Sequence, residues 1–87
     1  MRNVVFLPNG WTEYQSWISE SNRHILKKIR ELIVDISRNG NTGIGKPEPL
    51  IGELAGWWSR RITDEHRLVY MTDDENVYVA KCREHYN

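Results

Sequence analysis

Residues Trp57–Arg83, WWSRRITDEHRLVYMTDDENVYVAKCR, decide the fold. Three runs rich in β-branched and aromatic residues, Trp57–Ile62, Arg67–Thr72 and Val77–Arg83, are separated by the short polar segments Thr63–His66 and Asp73–Asn76. Apolar runs of that length bounded by Asp, Asn and Thr read as strands. Three in immediate succession predict an antiparallel meander.

Working back from the meander, Asn3–Leu7 is β-branched and aromatic and is stopped by Pro8, Asn9 and Gly10, which predicts a first short strand. From Trp11 the apolar positions Trp11, Tyr14, Trp17 and Ile18 recur at helical spacing, and Thr12 followed by Gln15 resembles a capping box. Ser21 and Asn22 are good caps for a second helix. There Ile25, Ile29, Leu32, Ile33 and Ile36 form a stripe opposite a Lys- and Arg-rich face, and Gly40 closes it. So little chain separates the two helices that they are expected to form a hairpin covering one side of the sheet. Asn39–Gly45 has three glycines and no periodicity, and reads as an ordered loop. The predicted order is β-α-α-β-β-β: an α+β fold with a two-helix hairpin packed on an antiparallel sheet.

Composition bounds what such a chain can do. At 87 residues there is room for one core, so residues 1–87 are expected to form a single domain. Four Trp and four Tyr in a chain 39% hydrophobic supply bulky side chains for it. The lone Cys82 excludes an internal disulfide, and His24, His66 and His85 are too dispersed for a zinc site, so neither metal nor cofactor is expected. Met1–Leu7 is too short an apolar run before Pro8 for a signal-peptide core or a membrane span, leaving the cytoplasm as the default location. Twelve Lys and Arg balance twelve Asp and Glu, so any hold on RNA must rest on local charge and not on net charge.

Local charge is concentrated at a few places. Pro47 and Pro49 flank Glu48 and should push Lys46 and Glu48 into the extended region, presenting the carboxylate with little backbone freedom. The bland alternative is a rigid turn with a solvated acid. Arg60, Arg61 and Arg67 crowd two adjacent strands, and an odd-length connection would set Arg61 directly opposite Arg67. Like charges so placed are destabilising unless an anion sits between them, and guanidinium forks match phosphate; pairing with Asp64 and Glu65 is the alternative. His85 and Tyr86 follow the last strand, where an end cap is the competing reading. Together these residues offer what RNA cleavage by an internal 2′-hydroxyl requires: a base, cations for the phosphorane charge, and an acid for the leaving oxygen. Elsewhere, Trp58 is expected in the core, Cys82 is expected to be a small buried hydrophobe on the strand face of Tyr78 and Ala80, and His24 and His66 read as surface or cap residues.

Gly45–Leu50 (GKPEPL), Gly56–Thr63 (GWWSRRIT), Glu65–Tyr70 (EHRLVY) and Lys81–Tyr86 (KCREHY) resemble the YoeB-type toxins of the RelE superfamily, with Trp11, Tyr14, Trp17 and the Ile25–Ile36 helix in register. The resemblance implies a bacterial toxin that enters the ribosomal A site, cleaves the mRNA there, and is neutralised by a cognate antitoxin, of YefM or Phd type. It implies roles as well: Glu48 as general base, Arg67 as transition-state cation, His85 as general acid, Tyr86 as a nucleotide-orienting residue, and Lys46 and Arg61 as phosphate holders. Homodimers are common in the family. Two positions depart from its pattern: Ile51 stands where a basic residue commonly follows KPEPL, and Asn87 extends the chain past Tyr86. Two rivals remain: a ParE-type gyrase-inhibiting toxin, which shares the fold without the acid and base, and a non-catalytic RNA- or protein-binding module.

Overall fold

The computed structural model of the protein describes residues 1–85. Strand β1 (Asn3–Phe6) leads into helix α1 (Pro8–Ser19), which starts three residues earlier than the periodicity implied. The reason is Pro8: at the first helical position its missing N–H is no loss, and its fixed φ suits a helix. The expected capping box is therefore absent. Thr12 lies inside the helix, where its hydroxyl donates to the Pro8 carbonyl at 3.1 Å. Helix α2 (Arg23–Asn39) is capped as expected, with Asn22 Oδ1 accepting from the Ile25 N–H at 3.1 Å, and it stops at Gly40, whose φ of 68° suits a residue without a side chain.

A two-residue strand β2 (Glu48–Pro49), one turn of 3-10 helix (Gly52–Leu54), and strands β3 (Trp58–Arg61), β4 (Arg67–Thr72) and β5 (Asn76–Lys81) complete the chain's regular elements. The order across the sheet is β1-β5-β4-β3-β2. The meander is antiparallel throughout, but β1 pairs β5 in parallel, so the sheet is mixed where a fully antiparallel one was expected. Topology explains it: the helical hairpin carries the chain from β1 to the far edge, and the meander walks back until β5 fits between β4 and β1.

Both helices cover one face. Ile25, Ile29, Leu32, Ile33 and Ile36 are all buried there against Leu68, Tyr70, Val77 and Val79, with Trp58 packed alongside as expected. Full burial of each aliphatic side chain contributes roughly 1.5–3 kcal/mol. Helix α1 lies close on β5 because residue 10 is glycine: a Cβ there would collide with the Val79 carbonyl. Among the described residues no helix is long and apolar enough to cross a membrane.

One irregularity re-aims the C-terminal residues. Tyr70 pairs with Val79 but Val69 pairs with Lys81, so Ala80 is the extra residue of a β-bulge. Before the bulge Val77 and Val79 face the helices; beyond it the alternation inverts, turning Lys81 to the opposite face and Cys82 into the core. Cys82 is the buried residue expected, but it does not share the face of Tyr78 and Ala80.

Candidate functional site

The sheet face opposite the helices carries the candidate residues. Trp58, Arg60, Leu68 and Tyr70 are paired on the helix side, so alternation turns Ser59, Arg61, Arg67 and Val69 to the opposite face, where Ser59 and Val69 are buried. Two rows result. Arg61 is directly opposite Arg67, as the five residues between the strands require. In the neighbouring row Glu48 pairs Ser59, Ser59 pairs Val69, and Val69 pairs Lys81. With about 4.8 Å between strands, Glu48 and the Arg67 strand are roughly 10 Å apart at the backbone, a span that a long arginine and a bound phosphate can fill.

The two adjacent arginines of β3 have opposite environments. Arg60 points inward and is fully buried, donating to Asp35, to the carbonyls of Gly40 (2.7 Å), Thr42 (3.2 Å) and Ile44 (2.9 Å), and to the Tyr70 hydroxyl (3.1 Å). The guanidinium thereby orders the glycine-rich loop, whose end is pinned to β3 by the Arg61 N–H bonding the Gly45 carbonyl at 2.7 Å. Its ion pair holds the Asp35 carboxyl below the usual carboxylate range, chiefly through the hydrogen bond. Arg61 points outward and is exposed, and no ion pair among the described residues includes it or Arg67.

Arg67 is half-buried and tied by one guanidinium nitrogen to the carbonyls of Thr63 (2.7 Å), Asp64 (3.0 Å) and His66 (3.2 Å). These acceptors are neutral, so they fix the side chain without cancelling its charge. The alternative of pairing with Asp64 and Glu65 does not occur: Asp64 contributes only its backbone, and Glu65 lies 3.7 Å from His66 Nε2.

Glu48 is exposed and extended on β2, as the prolines imply. Lys46 is exposed but not extended: its φ is 54°, because the loop must turn between the Gly45 anchor on β3 and the start of β2. His85 is exposed beyond β5, with Lys81 Nζ donating to its carbonyl at 3.4 Å. The Arg67 N–H bonds the carbonyl of the preceding Glu84 at 3.1 Å, which brings His85 beside β4. Strand register thus sets Glu48, Arg61 and Arg67 on one face, while His85 follows the Glu84 carbonyl bonded to β4 and Lys46 precedes β2 in the loop. Tyr86 and Asn87 lie outside the described residues.

Lys81 pairs Val69 on this face, a placement not anticipated from the sequence. Lys81 had left a signal: strict alternation with Val77 and Val79 would bury an ammonium, so a register shift was already required. His66, expected as a surface or cap residue, is buried. Its ring is buried edge-on against Trp17 with centroids 4.8 Å apart, and its Nδ1 accepts from the Glu84 N–H at 2.8 Å. Burial pushes the Cys82 thiol up to about 12, which leaves it no nucleophilic role. A groove of about 690 Å³ runs along α2 past Lys27, Arg38 and Ile44, and none of the candidate residues lines it. No cluster of three metal-ligating side chains occurs among the described residues.

A two-helix layer on one side of a small mixed sheet is a fold shared with solved toxins of toxin-antitoxin systems. The family model described as "YoeB-like toxin of bacterial type II toxin-antitoxin system" matches residues 6–86. The chain belongs to that family. Toxin RelK of Mycobacterium tuberculosis is 50% identical over 86 residues, covering 99% of this chain and all of its own. Among solved structures, a YoeB dimer from Staphylococcus aureus superposes with a TM-score of 0.89 at 44% identity over 98% of both chains. A YoeB-YefM complex from the same organism gives 0.88 at 45% identity over 99% of both.

Proposed function

We propose that this toxin is a ribosome-dependent mRNA endoribonuclease, an mRNA interferase acting in the ribosomal A site, and that the sheet face opposite the helices carries its catalytic residues. The observation that carries the reading is the direct pairing of Arg61 with Arg67 beside Glu48, a repulsive arrangement that a phosphate between the guanidinium groups would turn attractive.

In this mechanism Glu48 takes the proton of the 2′-hydroxyl, whose oxygen attacks the adjacent phosphorus. Arg67 stabilises the negative charge of the phosphorane, with Arg61 and Lys46 holding the phosphate. The bond from phosphorus to the 5′-oxygen breaks, and His85 delivers a proton to that oxygen. The products are a 5′-hydroxyl end and a 2′,3′-cyclic phosphate, which opens to a 3′-phosphate on hydrolysis. Tyr86 orients the nucleotide, since single-stranded RNA bases are read largely by stacking on aromatic rings. Because Glu48 and Arg61 are exposed, the docked mRNA and ribosome must supply the exclusion of water.

The same reading assigns a bacterial cytoplasmic setting and a cognate antitoxin of the YefM or Phd type, as in the Staphylococcus aureus complex, with a homodimer as the counterpart of that organism's YoeB dimer. Primer extension on a short mRNA in a reconstituted translation system, with and without ribosomes, tests it. Discrete ribosome-dependent cuts are expected, reduced roughly 10² to 10⁴-fold by Glu48→Gln and by His85→Gln. Intact mRNA in every lane would refute the enzyme reading and return the choice to gyrase inhibition or simple binding.

A further inference from the structure

Beyond β5 the chain runs out of ladder partners. Strand pairing ends at Lys81, yet the next three backbone N–H groups are all satisfied by side chains. Glu13 Oε1 accepts from Cys82 at 2.7 Å and from Arg83 at 3.1 Å, and His66 Nδ1 accepts from Glu84 at 2.8 Å. Trp17 Nε1 donates to the Cys82 carbonyl at 2.9 Å, and the Arg83 guanidinium lies over the Trp17 ring at 3.9 Å. Glu84 itself has a φ of 61°, a left-handed conformation that a non-glycine residue holds only where its surroundings impose it. What imposes it is His66 on its N–H and the Arg67 N–H on its carbonyl at 3.1 Å. The next residue is His85.

We propose that His66 is a positioning residue for the cleavage reaction: its Nδ1 holds the left-handed turn at Glu84 and so fixes where His85 stands relative to Arg67. The inference rests on the assignment of His85 as the general acid. It requires one tautomer, because the Glu84 N–H can only donate; the ring proton must sit on Nε2, which faces Glu65 Oε1 at 3.7 Å. A protonated imidazole has no acceptor, so protonation would release the turn. The charged groups around the ring are Glu65 at Nε2, Arg67 donating to the His66 carbonyl at 3.2 Å, and, from beyond Trp17, Arg83 paired with Glu20 at 2.7 Å, with Glu13 at the adjoining backbone.

The test uses the full-length toxin with His66→Leu, which removes the acceptor and keeps the apolar contact with Trp17, and with His66→Asn, whose Oδ1 can take the place of Nδ1. Amide hydrogen exchange at Glu84 is read in each, alongside kcat, KM and the pH profile for ribosome-dependent cleavage. Melting curves identify any variant that fails to fold. His66→Leu is expected to expose the Glu84 amide to exchange and to lower kcat roughly 10- to 100-fold with little change in KM, the cost of misplacing a reacting group by about 1 Å. His66→Asn is expected to restore both, and to be less sensitive to acid than the wild type, because its amide oxygen stays an acceptor where a protonated imidazole does not. Wild-type kcat in His66→Leu, or equal defects in the two variants, would overturn the proposal. So would an unchanged exchange rate at Glu84 in His66→Leu. Should wild type cleave no RNA, the endonuclease reading fails, while the exchange arm still decides whether His66 holds the turn.

Discussion

Replacing Arg60 by Met should unfold this protein at a much lower temperature, and the size of the drop follows from the side chain's partners. Arg60 is fully buried and donates to five acceptors: Asp35, three loop carbonyls and the Tyr70 hydroxyl. Methionine fills the volume but donates nothing. Asp35 is 19% exposed and keeps the Asn39 amide at 2.9 Å and the Ile44 N–H at 3.1 Å, so it is not left wholly without partners. Most of the loss therefore falls on the loop carbonyls and on Tyr70. Breaking a buried ion pair by removing one partner costs about 3–5 kcal/mol, and the partial exposure of Asp35 places this case near about 3 kcal/mol. At roughly 4–8 °C per kcal/mol for a domain of this size, the melting temperature should fall by roughly 12–24 °C. Calorimetry of Arg60→Met, Asp35→Leu and the double variant provides the assay. The double variant should be less destabilised than the sum of the singles, because it removes the charge that each single strands. A shift below about 4 °C for Arg60→Met, or strict additivity in the double, would refute the view of Arg60 as the group that orders the loop before Glu48.

Two further outcomes follow, one from Asp35 and one from Cys82. The folded Asp35 carboxyl is held below its unfolded value by the Arg60 hydrogen bond, so its contribution is fully present above the unfolded carboxylate range and is lost as pH falls through the folded value. Melting temperature should thus be flat above about pH 5 and fall below about pH 4, with a shallower acid slope in Asp35→Asn. Because burial pushes the Cys82 thiol up to about 12, a thiol reagent at neutral pH should leave the folded toxin unmodified and react once per chain after denaturation; prompt labelling of native protein would contradict the buried position.

Much of this architecture was legible in the sequence, and the exceptions share a cause. The α2 stripe, its Asn22 cap and the three meander strands were readable because each is specified by residues close in sequence. The Arg61–Arg67 pairing was readable only as a condition on loop length, which the five-residue connection then met. What sequence concealed depends on partners far along the chain. The parallel β1–β5 pair joins the two ends of the molecule, and the bulge at Ala80 is set by a mismatch with β4. His66 read as a surface or cap residue because its partners, Trp17 and the Glu84 N–H, lie 49 positions before it and 18 after.

The consecutive arginines of β3 show how a chain with zero formal charge can present a cationic surface. Strand alternation sends Arg60 and Arg61 to opposite faces, and the supply of acceptors is unequal. The inward side chain takes the one carboxylate in reach and three carbonyls, so its charge is spent on the fold. Outward, Arg61 has no carboxylate partner among the described residues, and Arg67 is anchored by neutral carbonyls that hold its geometry and leave its charge intact. Net charge sums these cases and hides the difference, whereas a phosphodiester would meet only the outward pair. On the proposed function, phosphate affinity should therefore track the Arg61–Arg67 face and be insensitive to compensating charges added on α2. Charge-neutralising substitutions at Lys27 or Arg38 should leave kcat unchanged where Arg67→Gln abolishes most of it, and equal losses at all three would mean that bulk charge, not this pair, holds the RNA.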